Sequence, residues 1–201
     1  AAVTPRLLEM SEDYTGVPYP YEKLDSLAIL QRGGAMENPG LITYSMQLLL
    51  ARPQDETPRF KQAYAQVAAH EIAHMWFGNL VTHAWWDDIW LNESFATWMA
   101  DKILERFQPS WQSRAKSVLE RNYAMKNDSL TSARRIRQPI VNNNDIFNAF
   151  DPITYAKGGA VLGMFERWIG EERMQRALQG YLVKYADRNA TAAEFLAELS
   201  E

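Results

Sequence analysis

Cysteine is absent from this 201-residue chain, so the protein can form neither a disulfide nor a thiolate nucleophile. Basic residues are in deficit: 21 lysines and arginines face 25 aspartates and glutamates, a formal net charge of −4. Nucleic acid is therefore not an expected partner. No hydrophobic run approaches membrane-spanning length, and the longest candidate, residues 46–51, is only strand-sized. The remaining composition, 47% hydrophobic and 23% charged, is typical of a globular domain with a substantial core.

Histidine is scarce too, and the positions of the few histidines are informative. Of the three in the chain, His70 and His74 lie four residues apart, with Glu71 between them. On a helix this spacing puts both imidazoles on one face, where they can bind a zinc ion, and the glutamate can reach a water on that metal. The alternative is an ordinary histidine pair on an amphipathic helix. The third histidine, His83, is predicted to have a structural or surface role.

A third zinc ligand is expected because catalytic zinc sites use three protein ligands and leave one position open. Eighteen residues separate His74 from Glu93, and the apolar spacing around Glu93 predicts a second helix. A loop over residues 78–88 would bring that helix back opposite the histidines. A buried carboxylate needs a partner, which the metal would supply. The residues thus predict one zinc ion per chain, bound by His70, His74 and Glu93, with Glu71 as the general base.

Three segments together resemble the aminopeptidase N-type gluzincins, a family of zinc metallopeptidases. The first resembles the family's exopeptidase motif and comprises Gly34, Ala35, Met36, Glu37 and Asn38. The histidine and glutamate pattern described above resembles its zinc motif. Residues 153–158 are similar to the segment that carries its catalytic tyrosine, which corresponds to Tyr155. The resemblance extends from about residue 4 to the end of the chain.

The resemblance implies an α+β fold, a thermolysin-like zinc metallopeptidase catalytic domain with a small sheet lobe and a mostly helical lobe. We expect a single domain over residues 1–201, with the exopeptidase motif in a sheet-containing lobe, 1–56, and the zinc site in a helical lobe, 57–201. The family's preceding β-rich domain and following helical domain are expected to lie outside this chain. The substrates implied are peptides with a free N-terminus.

The resemblance also implies roles for individual residues. The substrate-binding segment would be Gly34 to Asn38, in which the Glu37 carboxylate would hold the substrate's ammonium group so that only the first peptide bond is cut. Tyr155 would donate a hydrogen bond to the oxyanion that forms during attack. Without the resemblance, Glu37 would be interpreted as a solvated turn glutamate and Tyr155 as an ordinary helix tyrosine.

Three positions depart from the family pattern. Ser94 stands where glycine is usual, Ala100 where many relatives have a glutamate, and Pro39 where tryptophan is frequent. Two other functions therefore remain open at this point. A thermolysin-like endopeptidase would keep the zinc ligands without needing Glu37, and a catalytically silent scaffold would need none of them.

The remaining pattern predicts where the main elements lie. Helices are expected at residues 5–14, from Thr57 to about Gly78, through Glu93 and ending before Pro109, and at 110–125, 151–169, 171–186 and from 191 onward. Strands are expected at 27–30, 41–44 and 46–50, and a surface loop at 126–145.

Overall fold

The computed structural model describes residues 3–30 and 33–200, so the two ends of the predicted domain, 1 and 201, lie outside the described residues. The α-helices are α1 (Val3–Thr15), α2 (Met46–Leu49), α3 (Pro58–Ala73), α4 (Ile89–Phe107), α5 (Ser113–Asp128), α6 (Asn143–Asn148), α7 (Gly158–Ile169), α8 (Glu171–Tyr185) and α9 (Ala192–Glu198). The strands are β1 (Asp25–Ile29), β2 (Ala35–Met36), β3 (Leu41–Ser45), β4 (Val81–His83) and β5 (Arg188–Ala190). A π-helical turn, Ile153–Lys157, leads directly into α7.

Two small sheets accompany the helices. In the first, the strand order is β1-β3-β2, with β1 parallel and β2 antiparallel to β3. In the second, β4 pairs in parallel with β5, which lies more than a hundred residues further along the chain. The fold is therefore mixed, mostly helical with a small sheet, as the sequence predicts.

The core lies mainly between α3 and α4. Helix α3 carries alanines one turn apart on one side, Ala65, Ala69 and Ala73, all of them buried. Such small side chains let the two helix backbones approach closely. Phe77, just after α3, stacks on Phe95 of α4 with ring centroids 4.0 Å apart. These contacts fix the two helices that carry the histidines and Glu93.

The predicted strand at 46–50 is wrong, because Met46–Leu49 forms the short helix α2. Methionine, glutamine and leucine are unbranched at Cβ and favour helix over strand. The predicted loop at 126–145 also ends early. Asn142 caps α6 by accepting hydrogen bonds from the backbone N–H groups of Asn144 and Asp145. The asparagines at 142–144 therefore mark the start of a helix.

Across the described ranges, no helix combines the length and the apolar character needed to cross a membrane.

Candidate metal centre and substrate cleft

Helix α3 begins with a well-formed N-terminus and delivers both histidines at its far end. Thr57 caps it by accepting from the Phe60 N–H, and Pro58 occupies its first turn. The last regular residue is Ala73, and the His74 N–H still bonds to the His70 carbonyl at 3.3 Å. The two histidines are therefore one turn apart on the same face, as predicted.

Glu93 of α4 reaches the histidine pair. The Nε2 atoms of His70 and His74 are 3.1 Å apart, and Glu93 Oε2 is 3.2 Å from the first and 3.4 Å from the second. Ligand atoms about 2.0–2.1 Å from a tetrahedral zinc lie roughly 3.3 Å from one another. The three atoms thus have the spacing that three ligands of one zinc ion require. Donor set and geometry both fit zinc.

The electrostatics of this triangle favour a positive charge. Burial lowers the pKa of His70. Burial also acts to lower the pKa of His74, but Glu93, Glu37 and Glu71 outweigh it and raise that pKa to about 10. For Glu93, burial is outweighed in turn by His74 and His70, which hold the pKa of its carboxyl well below its usual range. A cation placed among these three side chains would satisfy all of them.

The outer nitrogen of His74 is held by two carbonyl oxygens. Its Nδ1–H donates to the Phe77 backbone carbonyl and to Asn92 Oδ1, each at 3.1 Å, which leaves Nε2 free to bind a metal. Gly78 is required beside this contact: a Cβ there would lie 2.3 Å from Asn92 Oδ1. We call the helical wall the set of five residues made up of His70 and Glu71 of α3, His74 directly after it, and Asn92 and Glu93 of α4.

Opposite lies the sheet wall, Ala35, Met36 and Glu37. The Glu37 carboxylate comes within 3.9 Å of His74 Nε2. Its backbone carbonyl accepts from Asn79 Nδ2 at 2.7 Å. The structure therefore brings the predicted exopeptidase glutamate next to the predicted zinc ligands, although the two segments are distant in sequence. The other two residues of that motif, Gly34 and Asn38, flank the sheet wall; both are exposed, and Gly34 adopts a positive φ of 74°.

Glu71 is buried, and its carboxylate belongs to a cluster with Glu37 and His74 whose ligand atoms lie within 4.8 Å of one another. It therefore projects into the space between the two walls, where a general base would be needed.

Tyr155 lies on the π-helical turn, its ring centroid 6.0 Å from that of His70. Burial, with the nearby carboxylates Glu93, Glu37 and Glu71, raises its pKa, so the phenol stays protonated and able to donate.

Ser94 Oγ connects the π-helical turn to α4 by donating a hydrogen bond to the Thr154 carbonyl at 2.7 Å. A Cβ on Gly158 would lie 1.7 Å from the same Oγ. Glycine at 158 thus leaves room for the Ser94 side chain.

The second ring nitrogen of His70, Nδ1, has only a distant partner. Thr97 Oγ1 is 3.5 Å from His70 Nδ1. Asp101, which follows Ala100, does not bond to His70 but accepts from Gln66 and Ser117. Burial raises the pKa of Asp101 to about 6.

The two walls enclose a cleft of about 610 Å³. Its remaining surface is largely apolar and aromatic and comprises Trp86, Ile89, Ile146, Phe147, Phe150 and Tyr155, with His83, Gly78 and Asn79. His83 is among the lining residues that the sequence analysis did not place in the site. The only signal for it would have been the pairing of β4 with β5, which short-range patterns do not reveal.

Comparisons with known proteins agree with this geometry. The peptidase family M1 domain model matches residues 1–201. Aminopeptidase M1-C of Oryza sativa subsp. japonica is 42% identical over 195 residues, which cover 96% of this chain and 22% of that protein. Glutamyl aminopeptidase of Homo sapiens is 40% identical over 203 residues, covering all of this chain and 21% of the relative. Aminopeptidase 2, mitochondrial, of Saccharomyces cerevisiae is 38% identical over a stretch of the same length and coverage. The chain thus spans about a fifth of the length of these relatives.

Proposed function

The chain belongs to peptidase family M1, and on that premise we propose that it is the catalytic portion of a zinc-dependent aminopeptidase that hydrolyses the first peptide bond of peptides. The observation that carries this proposal is the meeting of two features in one cleft. The Nε2 atoms of His70 and His74 and Oε2 of Glu93 lie 3.1–3.4 Å apart, and the Glu37 carboxylate is 3.9 Å from one of them.

Zinc is the proposed cofactor, one ion per chain, held by His70, His74 and Glu93. A zinc ion bound there would polarise the scissile carbonyl and activate a water for attack. Glu71 takes the proton of the attacking water at its carboxylate and passes it to the leaving amine. Its position in the cleft beside His74 and Glu37 supports this role.

Tyr155 and Glu37 act on the substrate. The Tyr155 hydroxyl donates a hydrogen bond to the oxyanion of the attacked carbonyl, in keeping with its raised pKa and its place on the cleft. Glu37 binds the substrate's ammonium group, so that only the first peptide bond of the substrate lies at the metal site. The segment Gly34 to Asn38 borders the extended substrate, with β2 supplying a short strand edge.

The architecture proposed is thermolysin-like, with residues 1–56 as the sheet lobe and 57–201 as the helical lobe of one domain. The β-rich and helical domains expected on either side of it would complete the full protein. Peptides with a free N-terminus are the proposed substrates.

The experiment that tests this function combines metal analysis with a paired assay in the full-length protein. We expect about one zinc per chain and cleavage of a free aminoacyl-anilide far faster than of its N-acetylated form. Equal rates on the free and the acetylated substrate would favour the endopeptidase, and bound zinc with no turnover of either would favour the scaffold.

A further inference from the structure

His83 lies on the cleft in a rigid position. It is the last residue of β4, where it pairs with Ala190 of β5, and the next N–H, of Ala84, donates to the Ala190 carbonyl at 2.9 Å. The imidazole ring packs edge-on to Trp86, with centroids 6.2 Å apart. Backbone and ring are both held, so the side chain presents a fixed group to the cleft it lines.

Its two ring nitrogens have different surroundings. Nδ1 is buried and has no hydrogen-bond partner among the described residues. The nearby Asp88 carboxylate is already engaged, by Arg137 Nε at 2.6 Å and by the Ala192 N–H at 3.1 Å. With Nδ1 enclosed and the ring lining the cleft, Nε2 is the nitrogen open to a ligand.

The same surroundings fix where the proton lies. Burial lowers the pKa of His83, against the pull of the Asp88 and Glu93 charges, so the ring is neutral near pH 7 and carries one proton. A buried N–H without a partner is more costly than a buried bare acceptor. The proton therefore belongs on Nε2, and His83 offers an N–H donor to the cleft.

The cleft otherwise carries three carboxylates, Glu37, Glu71 and Glu93, whereas a peptide brings carbonyl oxygens that need donors. If the substrate's amino terminus is held at Glu37, its first carbonyl is the one attacked. Every other backbone carbonyl then lies beyond the scissile bond. We propose that His83 is a substrate-binding residue whose Nε2–H donates to a backbone carbonyl oxygen downstream of the scissile bond.

This inference rests on the proposed aminopeptidase function, and the test separates the two. An aminoacyl-anilide has no carbonyl beyond the scissile bond, whereas a C-terminally amidated tripeptide with the same first residue has two. The measured quantity is kcat/KM on the tripeptide divided by kcat/KM on the anilide, in the full-length protein. Wild-type turnover of the anilide tests the proposed function, and the change in the ratio on mutation tests His83.

Three variants make the measurement specific. His83→Phe keeps a ring against Trp86 and removes the donor, so the ratio should fall about three- to tenfold, as expected for one neutral hydrogen bond. His83→Gln places an amide N–H near the position of Nε2 and should restore most of the ratio. His83→Asn places its amide near the position of Nδ1 and should not.

Two outcomes would overturn the inference. Wild-type kcat/KM on both substrates in His83→Phe would mean that His83 does not contact the downstream peptide. Equal losses on tripeptide and anilide, with no rescue by glutamine, would mean that His83 only supports the fold around the zinc site.

Discussion

On the helical wall four of the five side chains are buried and the fifth, His70, is partly buried, whereas on the sheet wall Glu37 is fixed mainly through its backbone. His74 is 1% exposed and its Nδ1 has two carbonyl partners. The Glu37 side chain is 21% exposed and follows a strand of only two residues. Its anchor is the bond from Asn79 to its carbonyl oxygen.

The difference matches what each wall is proposed to do. A metal site tolerates errors of only a few tenths of an ångström, so its ligands need packing and outer hydrogen bonds. An ammonium group is a compact charge that a carboxylate can bind from several directions. Changes on the helical wall should therefore alter metal content or chemistry, and changes on the sheet wall should alter substrate selection.

The largest effect is expected for His74→Ala, which removes one zinc ligand. Zinc content should fall from about one per chain to near zero after dialysis, and activity should be lost with it. Metal analysis of the purified protein measures this, with Glu37→Ala as the matched control that keeps its zinc. Full zinc content in His74→Ala would refute the ligand assignment.

Glu71→Gln should separate chemistry from metal binding within the helical wall. The amide keeps the size of the side chain but cannot accept a proton, so kcat should fall about 10²–10⁴-fold while zinc content stays the same. Steady-state kinetics and metal analysis on the same preparation give both numbers. If a tenth or more of wild-type turnover remains, Glu71 is not the base.

The helical wall could largely be predicted from the sequence because its information is local. The i, i+4 spacing of His70 and His74 fixes a shared face, and the apolar pattern around Glu93 fixes a second helix. Thr57-Pro58 also marked the start of α3 correctly. Only the contact between the two helices is non-local. It could be predicted because a catalytic zinc site needs a third protein ligand.

The sheet wall and its surroundings could not be derived from pattern alone. Pairing of β4 with β5 joins segments more than a hundred residues apart, so the position of His83 on the cleft has no local signal. The periodicity of the apolar run at 46–50 is compatible with a strand or a helix, and the structure has the helix α2 there. The place of Glu37 beside the zinc ligands was indicated only by family resemblance.

Tyr155 belongs to neither wall, and its substitution tests whether it contributes to the chemical step without affecting metal binding. Tyr155→Phe removes one oxyanion donor, so kcat should fall about 10²–10³-fold with zinc retained. Because the pKa of Tyr155 is raised, loss of its proton should produce no fall in wild-type kcat below pH 10. Kinetics across pH 6–10 test both points, and a kcat within fivefold of wild type would remove Tyr155 from the mechanism.

Asn92→Ala removes the side-chain acceptor from His74 Nδ1 and leaves the Phe77 carbonyl in place. Loss of such an outer-shell partner typically weakens metal binding about 10–100-fold. Competition with a chelator measures the zinc affinity. The matched control is Asn79→Ala, an asparagine of the same size that anchors the sheet wall, and it should leave zinc affinity unchanged. Similar losses in both variants would break the distinction between the walls.

Glu37→Ala should leave zinc in place and alter only which substrates are preferred. A hydrogen bond between charged groups contributes about 1.5–3 kcal/mol, so kcat/KM on a free aminoacyl-anilide should fall roughly ten- to a hundredfold. The acetylated anilide lacks the ammonium group and is expected to be a poor substrate for both the wild type and the variant. The ratio of kcat/KM on the free anilide to kcat/KM on the acetylated anilide should therefore fall. Asn79→Ala, which frees the Glu37 backbone but keeps the carboxylate, should lower this ratio less. If the ratio is unchanged in Glu37→Ala, the sheet wall does not hold the amine, and selectivity for the first peptide bond must come from elsewhere.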